Sequence, residues 1–356
     1  MPRALCVARL SRGRGSRVRR PPGIKDVAAL AQVSIKTVSR VVNGEGSVLP
    51  ATRARVERSV IELGYVPNGS ARTLKSGVGD AVGVVVDTIA DTFFASLVSV
   101  IEDRALREGM GVLFASTGFD AGRERDQLLR LAGQQVRGII LVPVAENHDY
   151  LERYRASTPV VMVDRHMVGY DSVVVDDVEA TKAAVTDLIR IGHRRIAFIG
   201  YEAALSTIRS RHAAYQESLA EHGIALDSRL APPSAAEIAD TRLATLRLFN
   251  LQDPPTAIFA ANLRAGIGVA DALHGTGRTH IALISFGDFS LAHLLKPAVS
   301  CIDQDPYRIG NAAIERLLQL INTPGTPPQR IVVATERVKR GSGEIPGPAQ
   351  RMAESA

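Results

Sequence analysis

The sequence predicts a small all-α unit at the N-terminus joined to a larger α/β core, and three observations point there. Two short helical patterns, at 24–31 and from 35 onward, are separated only by Gln32, Val33 and Ser34. From Ala81 the pattern changes to short apolar runs alternating with helical stretches, the signature of parallel strand-helix units. Charge divides along nearly the same boundary. Residues 1–79 hold 15 Lys/Arg against 4 Asp/Glu, a net of +11, whereas residues 80–356 hold 28 against 33, a net of −5. A polyanion such as DNA would be steered to the N-terminal end by a salt-sensitive attraction that does not depend on its sequence.

Residues 1–22 contain seven arginines, much Gly and Ser, and no acid; they read as a disordered basic tail, either an auxiliary phosphate-contacting arm or an upstream extension. In the second helical pattern Val38, Val41 and Val42 recur at three- and four-residue spacing and form an apolar stripe, leaving Lys36, Thr37, Ser39, Arg40 and Asn43 to cover the rest of the surface. Ser34 is placed to cap this helix, so it starts at Ile35. A pair of helices with a three-residue connection has the form of a helix-turn-helix, whose second helix can lie in the DNA major groove. A third helix, Pro50 to Leu63, presents Val56, Val60, Ile61 and Leu63 as its apolar positions and ends at Gly64. Pro67-Asn68 breaks any continuation, and Ser70 to Lys75 is too short to be a stable helix by itself.

In the core, Ala81 to Val86, Gly111 to Ala115, Gly138 to Val142, Val160 to Val163 and Val173 to Val175 are continuously apolar, as strands buried on both faces are. A second series runs through Arg195 to Ile199, Thr256 to Ala260 and Ile281 to Ser285, with helices near 208–222, 240–249 and 264–274. Two series imply two α/β lobes with parallel sheets, and ligands bind at the carboxyl ends of such strands or between lobes.

Composition excludes several classes. Two cysteines, Cys6 and Cys301, support neither a disulfide framework nor a zinc site and fit a reducing cytoplasm; no run reaches the roughly 18 apolar residues of a membrane span, and no apolar segment follows the arginines as a signal peptide requires. No phosphate loop, dinucleotide fingerprint, metalloprotease or nucleophile-elbow motif occurs, so neither enzymatic chemistry nor a cofactor is expected. His193 lies in a Gly192-His193-Arg194-Arg195 turn with no nucleophile pattern nearby and reads as structural.

Ile24-Lys25-Asp26-Val27-Ala28, Val33-Ser34, Thr37-Val38-Ser39-Arg40-Val41-Val42-Asn43, Thr52-Arg53, Leu63-Gly64-Tyr65-Val66-Pro67-Asn68 and Ala71-Arg72-Thr73-Leu74 together closely resemble the headpiece of the lactose repressor/galactose repressor family of bacterial transcription regulators. Val163-Asp164-Arg165, the 192–200 segment, Pro255 to Asn262 and Arg340-Gly341-Ser342 look like the regulatory core of the same family. The resemblance implies a helix-turn-helix headpiece at 23–66, a hinge at 67–79, a two-lobed periplasmic-binding-protein-like core at 80–342 and a disordered tail at 343–356, with a helix at 306–320 returning to the first lobe. It implies a cytoplasmic homodimer or tetramer, most simply a repressor of a pseudo-palindromic DNA operator, responding to a small-molecule effector. DNA contacts are expected from Ser34, Ile35, Lys36, Thr37, Ser39, Arg40, Asn43, Thr52, Ala71 and a minor-groove wedge at Leu74. Effector contacts are expected from Phe93, Phe94, Arg165, Asp176, Arg211, Asn262 and Asp288.

Two departures stand out. Family members commonly carry Asn-Asp where this chain has Asn262-Leu263, and Phe-Asp-Asp where it has Phe286-Gly287-Asp288. Two carboxylates that usually bind sugar hydroxyls are missing unless Asp288 takes one role, so an acidic effector gripped by Arg211 is expected over a neutral sugar. The rival readings, a solute-binding protein of a transport system or an α/β enzyme with an accessory DNA-binding domain, predict a signal peptide or a catalytic constellation that the sequence does not show.

Overall fold

A computed structural model describes residues 20–44, 46, 48–66, 79–154, 157–200, 205–233 and 237–348. The chain divides into two compact units, Met1–Arg72 and Thr73–Ala356. In the first, α1 (Ile24–Ala31), α2 (Ile35–Val42) and α3 (Pro50–Leu63) are held by local signals. The Ser34 hydroxyl accepts from the Thr37 amide at 3.1 Å and so satisfies one of the unpaired donors of the first turn of α2. Pro50 opens α3, and Gly64 closes it at φ 62°, a left-handed conformation that glycine adopts without strain. Val27, Ala31, Val38, Val41 and Val56 form the core between the helices, and Val42 and Val60 are half-buried against it. Ile61 departs from its expected apolar role: it is 80% exposed, and the inward position is Ser59, whose hydroxyl donates to the Arg55 carbonyl.

In the second unit the chain makes two lobes. The first holds β1 (Ala81–Val86), α4 (Thr92–Arg107), β2 (Gly111–Ser116), α5 (Ala121–Gly133), β3 (Ile139–Leu141), β4 (Val160–Val163) and β5 (Asp171–Val175). The second holds α6 (Asp177–Arg190), β6 (Ile196–Ile199), α7 (Ser206–Glu221), α8 (Ile238–Leu248), β7 (Ala257–Ala260), α9 (Leu263–Gly275), β8 (Ala282–Phe286) and β9 (Ser300–Asp303). Helix α10 (Pro306–Asn322) returns to pack on α4 and the first sheet, adding β10 (Arg330–Val333), and the chain crosses back to place β11 (Glu336–Val338) beside β9. Among the described residues the strand orders are β10-β5-β4-β3-β1-β2, all parallel, and β11-β9-β8-β7-β6, parallel except for β11.

Most strands are buried on both faces, because helices cover both sides of each sheet. The edge strands β2, β10 and β11 are the exceptions; β2, expected to be doubly buried, leaves Leu113 and Phe114 exposed. Strands β9, β10 and β11 were not legible as separate apolar runs. Residues 343–348, expected to belong to a disordered tail, are tied to the core: the Gly347 amide donates to the Ile191 carbonyl at 2.7 Å, and the Ile345 carbonyl lies 2.9 Å from Nε2 of the fully buried His193. His193 thus ties the second lobe to the C-terminal segment and has a structural role. Residues 1–19, within the expected basic tail, and 349–356 lie outside the described residues.

Candidate nucleic-acid interface and ligand cavity

On α2 the buried valines leave Lys36 and Arg40, one turn apart, exposed on the free surface together with Ile35 and Asn43. Thr37 and Ser39 are half-buried and engaged locally: the Thr37 and Ser34 hydroxyls are 2.9 Å apart, and Asn43 Nδ2 donates to the Ser39 hydroxyl at 3.3 Å. Thr52 is half-buried in the first turn of α3. The long donors Lys36 and Arg40 are therefore the side chains best shaped to reach base edges, whereas Ser34 and Thr37 hold the helix start and Ser39 is engaged with Asn43 at its end. Ala71 and Leu74 lie outside the described residues.

Between the lobes is a cavity of about 60 Å³ at the carboxyl ends of β1, β4, β6 and β7. The first lobe contributes Asp87, Asp91, Phe93, Phe94, Phe119, Asp164 and Arg165; the second contributes Leu205, Thr207, Ile208, Arg211, Asn262, Leu263 and Arg264, and Gln304 stands on the crossover. Of the residues expected at an effector site, the cavity brings together Phe93, Phe94, Arg165, Arg211 and Asn262. Asp176 and Asp288 lie outside it. Asp176 caps α6, accepting from the Glu179 amide, because a residue just before a helix turns its carboxylate onto the first free amides. Asp288 is held by Arg340 through two hydrogen bonds of 2.7 and 2.6 Å and lines an adjoining depression of about 320 Å³ that shares Phe93 and Gln304 with the cavity.

The two buried guanidinium groups of the cavity are each met by a carboxylate. Arg165 donates to both carboxylate oxygens of Asp87, at 3.2 and 2.5 Å, and to the Pro143 carbonyl at 2.8 Å, with Asp164 3.5 Å away. Arg211 donates to Asp177 and to the Ala261 carbonyl, each at 2.7 Å, and its guanidinium stacks 3.5 Å above the Phe286 ring centre. The premise for an acidic effector, an Arg211 short of negative neighbours, is thereby overturned: Asp177 sits against it, since the crossover into α6 delivers that residue, not Asp176, to the cleft. Asn262 spends its Oδ1 on capping α9 through the Ala265 amide at 2.8 Å.

Burial raises the pKa of three carboxyls here. Asp87 is pushed up by desolvation even against Arg165. Asp91 is pushed up to about 6 by burial, partly opposed by the Phe93 amide, and Asp177 to about 6 by burial, partly opposed by Arg211. Carboxyls shifted in this way mark functional clefts. Sequence reasoning missed Asp87, Asp91 and Asp164. Their signal was positional: each follows the end of an apolar strand, where open α/β sheets bind ligands.

The Asp91 shift has a directional consequence. A carboxyl whose folded-state pKa lies above its unfolded value favours folding fully below about 4 and loses that contribution as pH rises through about 6. Asn keeps the helix cap and removes the buried charge. Asp91→Asn is therefore expected to be more stable than the parent by about 1–3 kcal/mol at pH 7.5, from roughly 1.36 kcal/mol per pKa unit, with the difference vanishing near pH 4. Thermal unfolding of both proteins across this range checks it; a constant difference at every pH would refute it.

Among the described residues no cluster of His, Cys, Asp and Glu could hold a metal, and no helix is long and apolar enough to cross a membrane. Residues 23–68 match the lacI family of bacterial regulatory proteins, and residues 185–343 match the periplasmic binding protein-like domain. The chain is 30% identical over 324 residues to the ribose operon repressor of Haemophilus influenzae, covering 90% of this chain and 98% of that one. It is 32% identical over 350 residues to the transcriptional regulator CelR of Thermobifida fusca, covering 91% and 99%. Its structure is similar to the lac repressor dimer bound to operator and an anti-inducer, with a TM-score of 0.81, 25% identity and coverage of 91% and 99%. With a helix-turn-helix unit and a two-lobed core each matched in turn, and relatives aligned over nearly their whole length, the chain belongs to the lacI family of bacterial regulatory proteins.

Proposed function

We propose that this protein is a cytoplasmic repressor without enzymatic activity, whose dimer holds a pseudo-palindromic operator and whose core responds to a neutral, polyhydroxylated small molecule. The observation that carries this reading is the presence in one chain of a free polar face on α2 and an inter-lobe cavity whose two buried guanidinium groups, Arg165 and Arg211, are each met by a carboxylate. Relatives are named for ribose and for a complex with cellobiose, both neutral polyols. Paired carboxylates and guanidinium groups offer acceptors and donors to hydroxyls, and Phe93 and Phe94 offer ring faces to C–H surfaces.

The cavity of about 60 Å³ has room for a few waters, at roughly 10–15 Å³ each, and not for a sugar. A sugar would therefore extend into the adjoining depression of about 320 Å³ or part the lobes, and the ligand shifts the population toward the arrangement it fits better. In the dimer that shift would act through the hinge at 67–79, where Ala71 and Leu74 are placed by the family resemblance. The test is selection of genomic DNA fragments by the purified protein. Recovery of one two-fold symmetric site supports the reading, and uniform recovery of unrelated fragments would remove it, leaving a solute-binding role for the core.

A further inference from the structure

Part of the second-lobe wall of the cavity is hydrocarbon, and the local backbone holds it in place. Leu263 is the first residue of α9 and only 6% exposed, with Leu205 and Ile208 also on the second-lobe wall and Phe93 on the first-lobe side. Its backbone is set by the Asn262 cap. Gly287 packs against it: at φ +95° a Cβ on residue 287 would be strained in itself and would lie 3.2 Å from the Leu263 Cβ and 3.4 Å from the Leu263 nitrogen. The Gly287 amide donates to the Ile302 carbonyl at 2.8 Å, and its carbonyl accepts from the Ser285 hydroxyl at 2.9 Å, so that conformation is held at both ends. The bare backbone at 287 and the start of α9 at 263 are thus one coupled arrangement, and Asp288 cannot substitute because Arg340 holds both of its oxygens.

The first-lobe side carries Asp87, Asp91, Asp164 and Arg165 beside its phenylalanines. On the second-lobe side a ligand meets an apolar patch of Leu205, Ile208 and Leu263 beside the polar groups of Thr207, Arg211, Asn262 and Arg264.

We propose that Leu263 is a specificity-determining residue, which selects a polyol carrying a methyl or deoxy position toward the second lobe over its fully hydroxylated counterpart. This rests on the polyol reading above and narrows it. A hydroxyl pressed against Leu263 loses its water partners and gains none, whereas a methyl gains apolar contact. The two effects act in the same direction, so discrimination of about tenfold or more is expected.

The probes are three matched pairs, L-fucose with L-galactose, L-rhamnose with L-mannose, and deoxyribose with ribose, titrated calorimetrically and by thermal shift into the full chain. In at least one pair the deoxy member is expected to bind the parent protein about tenfold more tightly than its partner. Leu263→Asp, which places an acceptor at the wall, is expected to narrow or invert that ratio, and Leu263→Ala, which keeps the wall apolar, to preserve its direction. Should Leu263→Asp fail to fold, Leu263→Asn supplies the polar wall. Equal or tighter binding of the hydroxylated member in every pair overturns the proposal, as does a ratio that survives a polar residue at 263 or a panel in which nothing binds. Operator binding by the same preparations separates the cases: if it persists, only the ligand assignment has failed, and if it is absent, the regulator reading has failed as well.

Discussion

Arg165→Ala is expected to destabilise the core by about 3–5 kcal/mol, because it leaves Asp87 as a buried carboxylate without its partner. Asp87 is fully buried and Arg165 is 6% exposed, so water cannot compensate for the lost guanidinium. At roughly 2–4 °C per kcal/mol for a unit of this size, the melting temperature should fall by about 10 °C. Arg165→Lys should recover little, since a point charge does not reproduce the fork that meets both oxygens of Asp87 and the Pro143 carbonyl. The double variant Asp87→Asn/Arg165→Met, which removes both charges, should recover most of the loss. Thermal unfolding of the four proteins at neutral pH checks this set. A loss below 1 kcal/mol for Arg165→Ala would mean that Asp87 already holds a proton in the parent, the direction in which burial pushes it.

Arg40→Ala and Lys36→Ala are each expected to flatten operator preference at one base position, by about 1–3 kcal/mol for a bidentate base contact. Both side chains are exposed, and the valines that hold α2 against its neighbours are untouched by either change, so the headpiece should fold normally. Binding of each variant across single-base operator substitutions separates two roles. Loss of discrimination at one position marks base reading. A uniform weakening across all sequences, with a shallower dependence on salt, would instead assign the side chain to phosphate.

The two units differ in how far local chemistry specifies them. For the headpiece, the start of α2 at Ile35, the Ser34 cap, the opening of α3 at Pro50 and its close at Gly64 are all decided within four residues of themselves, and the sequence shows them directly. Ile61 was misplaced because its three- and four-residue spacing from other apolar positions cannot say which face of α3 the neighbouring helices cover. In the cavity, Phe93, Phe94, Arg165, Arg211 and Asn262 were identified through family resemblance, while Asp176 and Asp288 were drawn elsewhere by a helix start and by Arg340. Asp176 and Asp177 are adjacent in sequence, and only the pitch of α6 decides which carboxylate caps the helix and which meets Arg211.

By itself the sequence determined the two-unit division, the basic end, the alternation of buried strands with helices, and the lack of a side-chain acceptor at Leu263 and Gly287. These are composition, periodicity and residue identity, which no folding event alters. Tertiary structure alone decided that Asp87 closes on Arg165 across 78 residues, that β2 is an exposed edge, and that residues 343–348 are tied to Ile191 and His193. It also decided that Leu263 and Gly287, 24 positions apart, share one contact. The reason is physical: capping and amphipathicity act over one or two turns, whereas ion pairs and packing act between surfaces that the chain must first bring together.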